Sequence, residues 1–237
     1  MNKPNIIFYF SDQQRADSAG CYGQRLPVTP NLDAMAEEGT LFENAFSCQP
    51  VCGPMRACLQ SGVYATQIGC YRNDIALPTE TKAIAHYLAE AGYDTAYIGK
   101  WHLASDKEHK LATQPTPKER RGGYDYWRAA DVLEFTSHGY NGYVYDENCN
   151  KLDFEGYRAD KINDFAIEYV KKDHKKPFLT LSLQILESSL PYKISLRAST
   201  AITGIRTWRI TKIIDTALNL LYSGANLKKN SETGIRW

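Results

Sequence analysis

Short, nearly continuous apolar runs constrain the fold of this chain most strongly. The first of them, NIIFYF at residues 5–10, stops abruptly at Ser11 and Asp12. A strand that is buried on both faces, as in a parallel sheet, has this composition. Two later stretches, at residues 93–98 and 177–181, are also predicted to be strands.

Helices are predicted between these runs. Capping residues and apolar spacing place them at residues 30–38, 52–61, 81–91 and 158–172. Strands that alternate with helices predict an α/β fold with a mainly parallel sheet, in which sites form at the carboxyl ends of strands. The polar stretch at 103–152 is rich in Gly and Tyr, and it is predicted to contain loops and short elements.

The composition excludes several classes of protein. Hydrophobic residues make up 43% of the chain and charged residues 23%, as expected of a globular domain rather than a disordered segment. A net charge of +1 provides no electrostatic footprint for nucleic acid. Because the sequence shows neither an apolar run as long as a membrane span nor a secretory leader, a cytoplasmic protein with six reduced cysteines is expected.

The segment CQPVCGPMRACLQSG, at residues 48–62, predicts a short helix with chemistry at its start. Pro54 suits the first turn of a helix and Gly62 suits its end. Cys52 and Arg56 are four residues apart and therefore share a face. The free N–H groups and partial positive charge of a helix N-terminus favour an anion, and a guanidinium adds a planar set of donors. The alternative is a buried cysteine beside a surface arginine.

Two further pairs of polar residues follow predicted strands. Asp12 and Gln13 offer oxygen ligands of the kind that calcium and magnesium prefer, although a lone Asp more often caps a turn. Lys100 and His102, in GKWHL, are two residues apart and would point the same way on an extended segment. Such a pair suits an anionic substrate whose leaving group needs a proton. The alternative is a solvated lysine and a packed histidine.

Four blocks together resemble the N-terminal half of the sulfatases, which belong to the alkaline-phosphatase-like superfamily. They are SDQQRAD, TPNLDAMAEEGTLFENAF, CGPMRACLQSG and GYDTAYIGKWHL. The resemblance is strong over residues 4–104 and continues weakly to Phe178. It implies a three-layer α/β/α sandwich with a mainly parallel sheet, truncated here, and hydrolysis of a sulfuric ester carried by a small molecule or a sugar.

The resemblance also implies catalytic roles. Cys52 matches the residue that a maturation enzyme oxidises to formylglycine. The aldehyde hydrate would attack sulfur, and elimination from the sulfated enzyme would regenerate the aldehyde. Arg56 would stabilise the hydrate and the metal site, while Lys100 and His102 would contact the sulfate and its leaving oxygen.

A metal site is implied in the same way. Asp12 and Gln13 would bind one divalent cation per subunit, usually calcium, together with the modified Cys52. Fixed cations and a metal aimed at developing charge are the usual source of such catalysis. The expected partners are the sulfated substrate and the maturation enzyme, without nucleic acid or a membrane. Met55 departs from the motif, because the family usually has a small residue at that position.

The C-terminal part of the chain departs further from the family. Residues 178–237 contain eight Lys or Arg and three Asp or Glu, and no histidine follows His174. The blocks that carry further ligands in the family are missing, which favours a partial sulfatase domain at 1–177 and a divergent or out-of-frame basic tail at 178–237. Two alternatives stay open: a phosphodiesterase or phosphonate hydrolase of the same superfamily, and a non-catalytic fragment.

Overall fold

The structure, a computed structural model, describes residues 3–12 and 14–185. This part of the chain contains the strands β1 (Ile6–Asp12), β2 (Asp94–Lys100), β3 (Tyr126–Ala130), β4 (Asn141–Asp146), β5 (Lys151–Glu155) and β6 (Phe178–Ile185). Its α-helices are α1 (Pro30–Glu38), α2 (Cys52–Ser61), α3 (Ala65–Ile68), α4 (Ile84–Glu90), α5 (Leu133–Thr136) and α6 (Arg158–Val170). Among these described residues, no helix has both the length and the apolar composition that crossing a membrane requires.

The strands form one sheet in the order β1-β6-β2-β3-β4-β5. Strands β1, β6, β2 and β3 run parallel, and the antiparallel strands β4 and β5 complete the sheet. Strand β6 lies between β1 and β2, with Asp12 opposite Ile185 and Ile98 opposite Ser182. The last residues of β1 and β2, Asp12 and Lys100, therefore reach the same edge of the sheet at nearly the same level.

Helices cover both faces of this sheet. Successive residues of β2 point to opposite faces. Ile98 packs in a core that includes Ile162 of α6, and Tyr97 packs in a second core with Ala57 of α2 and Ala85 of α4. Full burial of a side chain such as Ile98 contributes about 1.5–3 kcal/mol. The arrangement confirms the predicted layered α/β fold with a mainly parallel sheet.

The predicted elements agree with the structure, although the prediction was less specific in the middle of the chain. The three predicted strands correspond to β1, β2 and β6, and the four predicted helices correspond to α1, α2, α4 and α6. Residues 103–152, predicted to contain loops and short elements, contain the short strands β3 and β4, the short helix α5 and the start of β5, which the sequence did not identify individually. Strand β4 buries Val144 but leaves Tyr143 and Tyr145 half-buried, so it lacks the continuous apolar run that marks β1.

Helix α1 and the C-terminal part of the chain each depart from a fully described, well-buried element. Leu32 and Met35, two apolar residues of α1, are 39% and 46% exposed among the described residues. Of the basic tail predicted at 178–237, β6 belongs to the sheet, whereas residues 186–237 lie outside the described part of the chain. The division of the chain at residue 177 stays a prediction.

Candidate active site

Three charged side chains meet at the carboxyl edge of the sheet. Oδ2 of Asp12 lies 3.1 Å from Nη2 of Arg56 and 3.2 Å from Nζ of Lys100. Asp12 ends β1, Lys100 ends β2, and Arg56 projects from α2. Burial raises the pKa of Asp12, but the charges of Lys100 and Arg56 outweigh this effect and hold the pKa below its ordinary value. Three of the residues predicted from sequence are thus in direct contact.

Arg56 is a buried residue, which excludes the alternative of a surface arginine. Only 2% of it is exposed. While Nη2 donates to Asp12, Nη1 donates to the backbone oxygen of Lys100 at 2.7 Å. The guanidinium also lies against the ring of Phe10, 5.6 Å from its centroid, and the hydroxyl of Tyr97 donates to the same Lys100 oxygen. The planar fork of Arg56 therefore joins the ends of β1 and β2, a geometry that a lysine could not reproduce.

Helix α2 begins at Cys52, where the sequence predicted chemistry. The N–H of Gly53 donates to Oδ1 of Asn73 at 2.9 Å, and Pro54 has no N–H to offer. The first turn therefore has fewer free N–H donors than expected from the sequence. The attraction of an anion depends more on the side chains of Arg56 and Lys100. A methyl group added to Gly53 would lie 3.6 Å from the backbone oxygen of His102, so the residue after Cys52 adjoins the segment that follows β2.

Lys100 has a second carboxylate partner that the sequence did not reveal. Its Nζ lies 2.5 Å from Oε1 of Glu134, on the short helix α5, and its side chain is only 3% exposed. Oε2 of Glu134 is buried and has no hydrogen-bond partner within the described residues. The alternative of a solvated lysine is therefore wrong. Glu134 belongs to no recognisable motif, because it follows Lys100 by 34 positions. The chain returns to the same edge of the sheet through β3, which precedes α5.

The backbone at His102 differs from the extended segment that was expected. His102 has a φ of 58°, in the left-handed region. Its N–H donates to the backbone oxygen of Asp131 at 2.7 Å, and the buried carboxylate of Asp131 accepts from the N–H groups of Leu103, Ala104 and Ser105. Asp131 thus fixes the turn after β2. The direction of the His102 side chain is set by this turn and not by strand alternation.

The imidazole of His102 is held in its neutral form at neutral pH. Burial, followed by the charges of Lys100 and Arg56, lowers its pKa to about 4. These effects also show that His102 lies close to the charged cluster. Nδ1 is buried without a hydrogen-bond partner among the described residues. A neutral imidazole with an unused nitrogen can accept or donate one proton to a group bound beside it.

A cavity of about 210 Å³ adjoins His102. It is lined by Asn73, Asp74, His102, Ser105, Ala112, Val132 and Phe135. Phe135 is 68% exposed, and Asp74 adopts a left-handed φ of 63°. Polar groups and an aromatic face therefore surround a space next to the charged cluster, as in many small-molecule sites.

The described residues do not by themselves make a calcium site. Asp12 supplies a carboxylate of the type that calcium prefers, but Gln13 lies outside the described residues. Within 3–12 and 14–185, no group of three or more His, Cys, Asp or Glu side chains could hold a metal ion. Calcium takes about six to eight oxygen ligands, so Asp12 and a modified Cys52 fall short of a complete set.

The charges at the centre of the site nearly cancel. Arg56 and Lys100 are positive, whereas Asp12 and Glu134 are negative and bind them directly. An anion that entered the site would compete with both carboxylates for Lys100. Such competition predicts that Glu134 lowers the affinity of the site for anions.

Sequence comparisons with known proteins match one protein family. A sequence profile of the family described as Sulfatase matches residues 4–185. An ulvan-active sulfatase of Formosa agariphila is 40% identical over 183 residues, which cover 76% of this chain and 34% of that protein. An N-acetylglucosamine-6-O-sulfatase of Bacteroides thetaiotaomicron is 31% identical over 177 residues, which cover 74% of this chain and 29% of that protein. The chain thus spans about a third of the length of these relatives.

Solved structures share the same fold. A Bacteroides thetaiotaomicron structure from work on the metabolism of glycosaminoglycans superposes with a TM-score of 0.76, at 24% identity, over 92% of this chain and 58% of that one. A second structure, in complex with its substrate D-glucosamine-2-N,6-O-disulfate, superposes with a TM-score of 0.66, at 31% identity, over 77% of this chain and 34% of that one.

Proposed function

The chain belongs to the sulfatase family, and we propose that its charged site derives from one that hydrolyses sulfate esters. The single observation that carries this proposal is the contact of Arg56 and Lys100 with Asp12 beside the start of α2. Two buried cations, Arg56 and Lys100, are suited to the charge that a sulfate ester develops in its transition state. Relatives that match this chain are named sulfatases.

Cys52 is the proposed precursor of the nucleophile. Oxidised to formylglycine by a maturation enzyme, it would supply an aldehyde hydrate that attacks sulfur. Its position at the first residue of α2 supports this role, because the helix dipole favours negative charge there. Arg56, one turn further along the helix, would hold the hydrate in place through its guanidinium.

Lys100 and His102 are proposed to bind the sulfate and to serve the leaving oxygen. The buried ammonium of Lys100 needs only to exchange Glu134 for a sulfate oxygen. A neutral His102 can donate a hydrogen bond to that oxygen without adding positive charge. Asp12, Gln13 and the modified Cys52 are proposed to contribute to the binding of one divalent cation, usually calcium, whose further ligands would come from outside the described residues.

A sulfated sugar is the proposed substrate. One relative is named an N-acetylglucosamine-6-O-sulfatase, and one structural neighbour holds a glucosamine disulfate. The cavity beside His102 offers the side chains of Asn73, Asp74 and Ser105 for sugar hydroxyls, and the exposed ring of Phe135 for an apolar sugar face. These features support a sulfated sugar.

Two experiments separate this proposal from its alternatives. Paired assays with an aryl sulfate and an aryl phosphate diester distinguish a sulfatase from a phosphodiesterase or phosphonate hydrolase, since both anions suit Arg56 and Lys100. Calorimetric titration with calcium distinguishes an enzyme from a non-catalytic fragment. Faster hydrolysis of the sulfate and one tight calcium site support the proposal. Hydrolysis of neither ester, together with the absence of a calcium site, favours the fragment.

A further inference from the structure

Two thiols flank Cys52 and contact each other. The Sγ of Cys48 donates to the Sγ of Cys58 at 3.0 Å. Cys48 is exposed in the loop before α2, and Cys58 is half-buried on the helix itself. Because a disulfide needs about 2.05 Å between its sulfur atoms, a small side-chain movement separates this contact from a bond.

Contacts other than the thiols hold the Cys48 loop in place. Nε2 of Gln49 donates to the backbone oxygen of Tyr71 at 2.5 Å, and the N–H of Val51 donates to the backbone oxygen of Gln49 at 2.9 Å. The loop is therefore positioned before any bond forms. The thiols of Cys48 and Cys58 are already in contact before they react.

Two neighbouring thiols, Cys52 and Cys70, are poor partners for Cys58. Cys52 and Cys58 are six residues apart on α2, which separates them by about 9 Å along the helix axis. A disulfide spans at most about 7 Å between α-carbons, so Cys52 cannot pair with Cys58 while the helix is intact. Cys70 is buried and donates to the backbone oxygen of Ala76 at 3.2 Å, and burial raises its pKa to about 11.

We propose that Cys48 and Cys58 are a redox-active pair that forms a disulfide by exchange with a small-molecule disulfide such as oxidised glutathione. The exposed Cys48 thiolate attacks one glutathione sulfur and expels one molecule of glutathione as thiolate. The Cys58 thiolate then attacks the sulfur of Cys48 and expels the second. The two protein thiols lose two protons and two electrons, and the glutathione disulfide is reduced to two thiols.

The exchange is expected to depend on pH, because each of its two steps needs a thiolate. Burial, followed by the hydrogen bond and charge of Cys48, raises the pKa of the Cys58 thiol. Formation of the disulfide is therefore expected to accelerate as the pH rises above neutrality, because the thiolate is the attacking species.

The proposed bond has a consequence for the candidate nucleophile. It closes a ring from residue 48 to residue 58 that encloses Cys52 and Arg56. Such a ring restricts the unfolded chain and stabilises the start of α2. It also uses both thiols that lie near Cys52 in sequence, so that Cys52 has no neighbouring thiol in sequence with which to pair. The pairing itself holds whether or not the chain hydrolyses sulfate esters.

Peptide mapping tests the proposal on the full chain. The protein is incubated with oxidised glutathione, alkylated under denaturing conditions and digested with trypsin, which cuts after Arg25, Arg56 and Arg72. Peptides 26–56 and 57–72 are expected to be joined, with alkyl groups on Cys52 and Cys70. Fragment ions assign the bond. Cys58→Ser should abolish the joined peptide, and Cys149→Ser, at an exposed thiol outside this segment, should leave it unchanged.

Alkylation of both Cys48 and Cys58 after oxidation would overturn the proposal, as would a bond assigned to Cys52. Thermal unfolding provides an independent measurement. The oxidised protein is expected to unfold roughly 5–10 °C higher than the reduced protein, given the length of the ring. This difference should vanish in Cys48→Ser. Because Cys48 is exposed, its replacement by serine is not expected to disturb folding. An equal difference in wild type and Cys48→Ser would contradict the pairing.

Discussion

Oδ2 of Asp12 lies 3.1 Å from Nη2 of Arg56, although 44 residues separate them in the chain. The contact joins the end of β1 to the second turn of α2. It thereby connects the carboxyl edge of the sheet to the start of α2 within one site. It also places a carboxylate against a guanidinium that is 98% removed from solvent, since Arg56 is 2% exposed.

Removing this carboxylate is predicted to destabilise the fold. Asp12→Asn keeps the shape of the side chain but leaves the buried Arg56 without its counter-charge, so the free energy of unfolding at pH 7 should fall by about 2–4 kcal/mol. Urea unfolding measures the change. Asp17→Asn, in the exposed pair with Arg15, is the control and should leave the free energy of unfolding nearly unchanged.

The pH dependence of the same contact is also predicted. Because the pKa of Asp12 is lowered in the folded protein, its contribution is fully present above the pKa of the unfolded chain, about 4, and is lost as the pH falls through the folded value. Asp12→Asn should therefore differ from wild type at pH 7 and converge with it at the lowest pH at which the protein remains folded. A constant difference across this range would contradict the assignment.

Glu134 is predicted to weaken anion binding through Lys100. In Glu134→Gln the ammonium keeps Asp12 but loses its second anion, so the affinity for inorganic sulfate should rise by about three- to tenfold. Calorimetry or NMR titration measures this affinity. Glu147→Gln removes the partner of Arg128, outside the site, and should leave it unchanged. Weaker sulfate binding in Glu134→Gln would show that Glu134 positions Lys100 productively instead of competing for it.

His102 is predicted to make stability depend on mildly acidic pH. Its pKa is about 4 when folded and about 6.5 in an unfolded chain. Below about pH 6.5 the unfolded state binds more protons, so the free energy of unfolding should fall as the pH drops from about 6.5 to 4, by about 3 kcal/mol at most. His102→Asn should flatten this slope. An unchanged slope in His102→Asn would rule out the proposed cause.

Much of the fold follows from the sequence because buried parallel strands have a distinctive composition. The runs that became β1 and β2 end in the polar residues Asp12 and Lys100, so both the strands and the placement of these two residues at one edge could be predicted. Strand β4 could not, since its tyrosines are half-buried and its partner β5 is polar.

The site could be predicted only where its residues sit in local motifs. Arg56 is recognisable from its spacing to Cys52, but its burial and its bond to Asp12 depend on how α2 packs on the sheet. Glu134 and Asp131 have no local signal. They reach the site because β3 runs parallel to β2 and delivers the following residues to the same edge.

Hydrolysis per converted Cys52 tests the central claim most directly. The chain is co-expressed with a formylglycine-generating enzyme, the fraction of converted Cys52 is measured by mass spectrometry of peptide 26–56, and turnover of an aryl sulfate is divided by that fraction. The sulfatase proposal predicts turnover that is proportional to conversion and absent in Cys52→Ala. Full conversion without any turnover of the aryl sulfate, or equal turnover in Cys52→Ala, would contradict it.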